Sequence, residues 1–306
     1  MNCIDQSFGD NWAAYQGDCC EVIQDIPDNS IDFSVYSPPF ASLYTYSNSD
    51  RDMGNCVNND DFFAQYSFLV EQQFRTMKPG RLVAVHCMNL PTSKTRHGYI
   101  GIQDFRGEII RIFQKYGFIY HSEVCIWKNP VVAMQRTKAL GLLHKQVKKD
   151  SCMSRQGIPD YLVTFRKPGL NEDPVSGEFE YFCGDQDTFH NTGNLSIDVW
   201  QRYASPVWMD INPSNTLQKQ SARDHKDERH ICPLQLEVIE RAMQMWTNEG
   251  DTVLTPFGGI GSEGYVAVKM KRKAVLIELK DSYFSQLVKN MKEAESNTAT
   301  QKNLFG

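Results

Sequence analysis

No apolar run in this sequence approaches the roughly 20 residues that a membrane-crossing helix needs. The first ten residues, Met1 to Asp10, carry neither a basic flank nor an apolar core. No secretory signal is therefore expected, no membrane partner either, and the protein is expected to be cytoplasmic. Internal repeats and long low-complexity tracts are also missing, which argues against a solenoid or a disordered linker. No Cys-x-x-Cys occurs among the nine cysteines, which are scattered apart from the adjacent Cys19 and Cys20. Zinc sites and disulfide scaffolds both require more regular spacing, so reduced and mostly buried thiols are expected, and no metal.

An excess of positive charge is missing as well. The net charge of -5 argues weakly against nucleic-acid binding, but its distribution matters more than its sum. Between Lys128 and Lys167 stand nine basic residues (Lys128, Arg136, Lys138, Lys145, Lys148, Lys149, Arg155, Arg166 and Lys167), opposed only by Asp150 and Asp160. Such a run either tracks phosphates or forms a solvated basic face.

What is present is a chain of 306 residues, 41% hydrophobic, enough for one large domain or a catalytic domain with a smaller appendage. The run IDFSVY reads as a strand ending at Ser37, because Pro38 and Pro39 cannot continue a central strand. The polar and aromatic stretch from Ala41 to Asn59 reads as a mobile loop. Asn59 or Asp60 then caps a helix that Lys78-Pro79-Gly80 stops. Strands over Arg81 to Cys87 and Phe118 to Trp127 flank a helix over Asp104 to Tyr116. Alternation of this kind indicates a parallel α/β sheet. From Pro130 to Arg229 the chain is polar and irregular, interrupted by one strand, Tyr161 to Phe165. Order returns with an amphipathic helix from Leu234 to Trp246. A strand over Asp251 to Thr255, a helix over Gly261 to Met270, a strand over Ala274 to Leu279 and a last helix over Ser282 to Ala294 follow. A frayed tail is expected from Ser296.

Two motifs carry chemistry. Phe257-Gly258-Gly259-Ile260-Gly261 lies between a strand and a helix, where glycines allow a tight turn and close approach of a ligand. The next strand ends at Glu278, a carboxylate suited to ribose hydroxyls. This is a nucleoside-binding arrangement. Gly259, Gly261 and Gly264 also satisfy GxGxxG, so a nicotinamide-dependent oxidoreductase fits the segment too, as does a plain glycine turn. The second motif is Ser37-Pro38-Pro39-Phe40. An exocyclic base amine is a poor nucleophile, since its lone pair is delocalised into the ring. The Ser37 side chain and the Pro38 carbonyl offer two acceptors for its N–H groups, and Phe40 a flat face for an extruded base. The paired prolines stiffen the turn. A proline-terminated strand is the plain alternative. Both motifs follow strands, and ligands bind at the carboxyl ends of such strands, so both are expected to face one crevice.

With both motifs in hand, the chain resembles the amino-group DNA methyltransferases, the N4-cytosine and N6-adenine family. The likeness is strongest to the permuted branch in which the SPPF-type motif precedes FxGxG. It covers Gly17 to about Asn290, through IPDNSIDFSVYSPPF at one end and GDTVLTPFGGIGSEGYVAVKMKRKAVLIEL at the other. DSCMSRQGIPDYLVTFRKPG resembles phage and prophage enzymes. The resemblance implies a Rossmann-like fold with a seven-stranded, mostly parallel sheet and an inserted target-recognition region. Residues 1–129 would then form the catalytic half, 130–229 the recognition region, 230–295 the cofactor half and 296–306 a tail. It implies S-adenosylmethionine as cofactor, base flipping and direct methyl transfer; the proton is then expected to be lost to water, since no general base is needed to start the reaction. Phe257, Gly259 and Gly261 would line the cofactor, Glu278 would hold its ribose, and Asp18 would meet its adenine amine, unless Asp18 merely caps a helix. Ser37, Pro38, Pro39 and Phe40 would be catalytic. His230, Cys232 and Pro233 would precede the helix beside the methionine moiety.

One residue departs from the pattern. The family commonly has Asp at the position of Thr255, where it binds the methionine ammonium; Thr255 accepts a hydrogen bond but brings no charge. A DNA-binding protein with weakened catalysis is therefore a rival reading. Ser37 favours cytosine N4 over adenine N6, and methylation of RNA or a protein amide ranks lower. Double-stranded DNA is the expected partner, contacted by Arg136, Lys138, Lys145, Lys148, Lys149 and Arg155. The resemblance also leaves room for a homodimer and a cognate restriction endonuclease.

Overall fold

The computed structural model describes residues 1–40, 53–56, 59–92, 94–137, 144–153, 156–179, 194–217 and 233–305. The loop expected over Ala41 to Asn59 lies mostly outside them, as do Lys138, Arg155, His230 and Cys232. At the amino end, Gly9 N–H donates to the Trp12 carbonyl at 3.0 Å and closes a hairpin of β1 (Asp5–Phe8) and β2 (Trp12–Gln16). A short α1 (Cys19–Val22) leads to β3 (Ile31–Tyr36). Next come α2 (Asn59–Thr76), β4 (Met77–Met88), β5 (Leu90–Pro91), α3 (Lys94–His97), β6 (Ile102–Gln103), α4 (Phe105–Lys115) and β7 (Ile119–Ile126). The stretch after β7 holds α5 (Pro130–Thr137), α6 (His144–Lys149), β8 (Asp160–Arg166), α7 (Leu195–Tyr203) and β9 (Val207–Trp208). The chain ends with α8 (Leu236–Trp246), β10 (Thr252–Thr255), α9 (Ser262–Lys269), β11 (Lys273–Glu278) and α10 (Asp281–Phe305).

The main sheet has nine strands in the order β1-β2-β11-β10-β3-β4-β8-β7-β9. Neighbours from β2 through β4 run parallel, and β8 is antiparallel to both β4 and β7. The seven strands expected are present, with the short β1 and β9 added at the two edges. All six residues of β3 are buried, as befits a central strand covered on both faces. Period-2 alternation divides the cores. Val83, Val85 and Cys87 of β4 face one cluster, shared with Phe62, Tyr66 and Leu69 of α2 and Ile109 and Phe113 of α4. Ala84 faces the other, shared with Val238 and Ile239 of α8 and Leu287 and Met291 of α10. The sheet is thus the middle layer of three.

Two expectations are corrected in detail and one element is added. The hairpin of β1 and β2 was not expected. β8 lies between β4 and β7 in the central sheet, so that part of the irregular stretch belongs to the main fold. The last helix runs on through the expected tail to Phe305, because nothing in Asp281–Phe305 is Gly or Pro. Ser296 and Thr298 bond back to the carbonyls of Lys292 and Ala294 at 2.8 and 2.9 Å instead of breaking the helix. No described helix is long and apolar enough to cross a membrane, and the seven described cysteines are free thiols.

Candidate active site

The sheet order sets the site. β2, β11, β10 and β3 are adjacent and parallel, so their carboxyl ends open on one edge. Asp18 follows β2, Glu278 ends β11, Thr255 ends β10, and Ser37 follows β3. The two motifs meet directly, with the ring of Tyr36, one residue before Ser37, 5.6 Å from that of Phe257. Tyr36 is itself pinned. Its hydroxyl lies 2.7 Å from that of Tyr66 and donates to Gln73 Oε1 at 2.8 Å. Gln73 Nε2 in turn donates to Ser34 Oγ at 3.2 Å, and Ser34 Oγ donates to the Leu254 carbonyl at 2.8 Å. This buried polar chain ties α2 to β3 and β10 just below the motifs.

The glycine turn is built as the sequence requires. Gly259 and Gly261 have φ of +52° and +89°, which side chains rarely adopt. A Cβ on Gly259 would meet nothing within 4 Å, so its open side faces free space. The Gly259 N–H donates to Glu278 Oε2 at 2.7 Å, and the Lys280 N–H to Glu278 Oε1 at 2.9 Å. Two backbone donors therefore fix the orientation of the carboxylate. Asp18 caps α1 by accepting from the Cys20 N–H at 2.9 Å, and stays half-buried beside the end of β11. Thr255 Oγ1 is buried and has no hydrogen-bond partner among the described residues. An orphaned acceptor, an open glycine turn and an oriented carboxylate together fit a nucleoside bearing further polar groups.

On the other side of the site, Pro38 is buried, while Ser37, Pro39 and Phe40 are half-buried. Phe40 packs edge-on against Phe105 of α4 at 6.0 Å. Ser37 Oγ lies 3.2 Å from His86 Nδ1, and His86 Nε2 lies 3.3 Å from Asp160 Oδ2. Lys128 Nζ donates to Asp160 Oδ1 at 2.5 Å. Sequence reading did not assign roles to His86, Asp160 and Lys128. The only local signal was a histidine on the face of RLVAVHC opposite Val83 and Val85, and its value depends on knowing which strand lies next to Ser37.

Of the expected DNA contacts, Lys145, Lys148 and Lys149 are exposed on α6. Arg136 lies on α5 with its side chain outside the described residues. Nothing described links these residues to the motif edge. Tyr203 and Trp208 are buried, with Trp208 Nε1 donating to the Tyr203 carbonyl at 3.2 Å.

Glu263 lies buried in the first turn of α9, next to the glycine turn. Burial, aided by the charge of Glu278, pushes its carboxyl up to about 8. The folded protein thus keeps a proton that the unfolded chain releases near the usual ~4.3. Stability is then fully present below that lower value, falls as pH rises towards about 8, and levels off above it. Glu263→Gln is expected to be more stable than the wild type. The gap should widen between pH 5 and 8 by at most about 1.4 kcal/mol per pH unit. Urea midpoints of both proteins at several pH values measure it, and a constant gap would contradict it.

A family model for DNA methylases matches residues 31–289, from the first residue of β3 into α10. The chain belongs to this DNA methylase family. Membership takes in both motifs at once and displaces the oxidoreductase reading of Gly259, Gly261 and Gly264. Among its relatives, type II methyltransferase M.BglII of Bacillus subtilis is 24% identical over 271 residues, spanning 88% of this chain and 66% of its own. Type II methyltransferase M.BamHI of Bacillus amyloliquefaciens is 26% identical over 268 residues, 87% of this chain and 54% of its own. The chain thus spans about half to two thirds of the length of those relatives. In fold it is similar to TTHA0409 of Thermus thermophilus, solved with S-adenosyl-L-methionine. The TM-score is 0.63 at 20% identity, over 93% of this chain and 96% of the other. It is similar also to the cytosine-N4-specific PvuII DNA methyltransferase, with a TM-score of 0.63 at 16% identity, over 98% and 97% of the two chains.

Proposed function

We propose that this protein transfers the methyl group of S-adenosylmethionine to the exocyclic N4 amine of a cytosine in double-stranded DNA. The observation that carries the reading is the junction of Ser37-Pro38-Pro39-Phe40 with the glycine turn, made through Tyr36 and Phe257. Glu278 would hold the ribose of the methyl donor, Gly259 and Gly261 would let it approach the backbone, and Phe257 and Asp18 would flank it. Thr255 would give its orphaned hydroxyl to the methionine end. The donor supplies a methyl group made electrophilic by its sulfonium. Ser37 Oγ and the Pro38 carbonyl accept the N–H groups of the amine and aim its lone pair, while Phe40 stacks on the flipped base. Ser37 supports cytosine, in keeping with the cytosine-N4-specific PvuII enzyme of similar fold.

Target recognition is assigned to residues 130–229 apart from β8. The exposed lysines of α6 would contact phosphates there, and neighbouring side chains would read base edges. A cognate restriction endonuclease and a homodimer fit a type II methyltransferase context.

Incubation with labelled S-adenosylmethionine and unmodified genomic DNA, followed by nucleoside mass spectrometry, is expected to yield N4-methylcytosine. N6-methyladenine would overturn the choice of base. Steep salt-dependent DNA binding with no transferred label would favour a protein that binds DNA without modifying it.

A further inference from the structure

We propose that His86 is a positioning residue and proton acceptor behind Ser37, with its tautomer set by Asp160. This rests on the methyl-transfer reading above and concerns the hydrogen of Ser37 and the proton that the amine must shed.

The arrangement follows from sheet register. β3 and β4 are parallel with Tyr36 opposite Val85, so the next residues, Ser37 and His86, come level. β4 and β8 are antiparallel with His86 opposite Leu162 and Met88 opposite Asp160. Asp160 therefore sits diagonally from His86 on the same face, within reach of a long side chain. On β7, Ile126 pairs with Asp160, and Lys128 lies two residues further along. Four neighbouring strands thus deliver Ser37, His86, Asp160 and Lys128 to one line. His86 is 7% exposed and Asp160 3% exposed, so water screens the line little.

Charge sets the direction of the hydrogens. Burial pushes the Asp160 carboxyl up, yet His86 and Lys128 together outweigh burial and hold it below its ordinary range. Asp160 is thus an anion at neutral pH. His86 Nε2 lies 3.3 Å from Asp160 Oδ2, outside hydrogen-bond geometry, and no other described group pairs with it, so the neighbouring carboxylate favours the ring hydrogen on Nε2 and leaves Nδ1 as an acceptor. The other titratable groups that feel Asp160 are the thiols of Cys87 and Cys125, both pushed up first by burial. Neither supplies a charge that competes with it.

An acceptor at Nδ1 commits the Ser37 hydroxyl hydrogen to the ring. Ser37 Oγ then presents only lone pairs to the site, which is what an amine offering only N–H groups requires. The amine nitrogen spends its lone pair on the new N–C bond, and the C–S pair of the donor leaves with sulfur. The nitrogen then carries one proton too many. That proton passes to Ser37 Oγ as the Ser37 hydrogen moves to His86 Nδ1, and the N–H electron pair returns to nitrogen. Asp160 balances the imidazolium until the proton returns to water on product release. Sequence alone pointed to water as the first acceptor, whereas His86 stands closer to the reacting group.

The test uses the full chain. Nitrogen-15 NMR of histidine-labelled protein at pH 7.5 is expected to show His86 as the neutral Nε2–H tautomer, its signals identified by their loss in His86→Gln. Asp160→Asn is expected to flip the ring to Nδ1–H, because the new amide can donate to Nε2. In single-turnover transfer to unmodified duplex, both variants should lose about 10²–10³-fold in rate. Their affinity for S-adenosylmethionine should stay within about twofold, since neither residue touches the glycine turn. Should His86→Gln fail to bind the donor, wild type and Asp160→Asn carry the same comparison. Methyl transfer by a wild type with an Nδ1–H ring, or a wild-type rate in His86→Gln, overturns the relay alone. An Nε2–H ring in a wild type that methylates no DNA overturns the methyl-transfer reading and the catalytic role of the relay with it.

Discussion

Ser37→Ala is expected to slow methyl transfer to DNA by about 10²–10³-fold in a single turnover, with the affinity for S-adenosylmethionine unchanged within about twofold. The loss corresponds to about 3–4 kcal/mol of transition-state stabilisation, the range typical for removal of one preorganised polar partner. Ser37 Oγ lies 3.2 Å from His86 Nδ1, and in the proposed reaction it stands between that ring and the amine. Alanine removes the acceptor that aims the amine lone pair and leaves the buried imidazole with no group in front of it. Donor affinity is spared because the glycine turn is held by Glu278 rather than by Ser37. Stopped turnover with labelled donor measures the rate, and titration calorimetry measures the affinity. Equal losses in both would mean that Ser37 supports the fold of the site rather than the reaction.

Glu278→Ala should raise the dissociation constant for S-adenosylmethionine by about 10²-fold. Hydrogen bonds to a charged acceptor contribute about 1.5–3 kcal/mol each, and on the proposed reading the carboxylate takes the ribose hydroxyls. Its oxygens also accept the N–H groups of Gly259 and Lys280, at 2.7 and 2.9 Å. The substitution therefore removes both the ligand contact and the brace that keeps Gly259 at φ of +52°. Glu278→Gln keeps the shape but not the charge, and should fall between wild type and alanine. DNA affinity should hold in both variants, which calorimetry with duplex checks. A Glu278→Ala protein that binds the donor as the wild type does would place the nucleoside elsewhere.

Several features needed nothing beyond the chain itself. Pro38 and Pro39 end β3 because proline has no N–H for a sheet ladder, and this marks Ser37 as a residue at a strand end. Gly259 and Gly261 mark a turn that side chains would strain, and Glu278 ends the strand that follows. The alternation of strands with amphipathic helices indicated a mostly parallel sheet. Local pattern was less informative where context outweighs it. β1 carries a single apolar residue, Phe8, in four, so its pairing with β2 does not stand out, and β8 announces a strand but not its neighbours. The absence of any breaker from Asp281 to Phe305 was the overlooked sign that α10 would continue.

The sequence by itself determined the two chemical motifs, the ends of the strands that carry them, and the departure at Thr255, because proline, glycine and side-chain chemistry act within a few residues of where they stand. Only the tertiary structure decided that β10 pairs with β3 and that β4 pairs with β8. Those pairings join segments far apart in the chain, and which strands become neighbours depends on burying both faces of the sheet at once rather than on any local preference. They place Phe257 against Tyr36 and line up Ser37, His86, Asp160 and Lys128 across four strands. Three of those four residues have no distinguishing local pattern, since a histidine, an aspartate and a lysine acquire their roles only from what stands opposite.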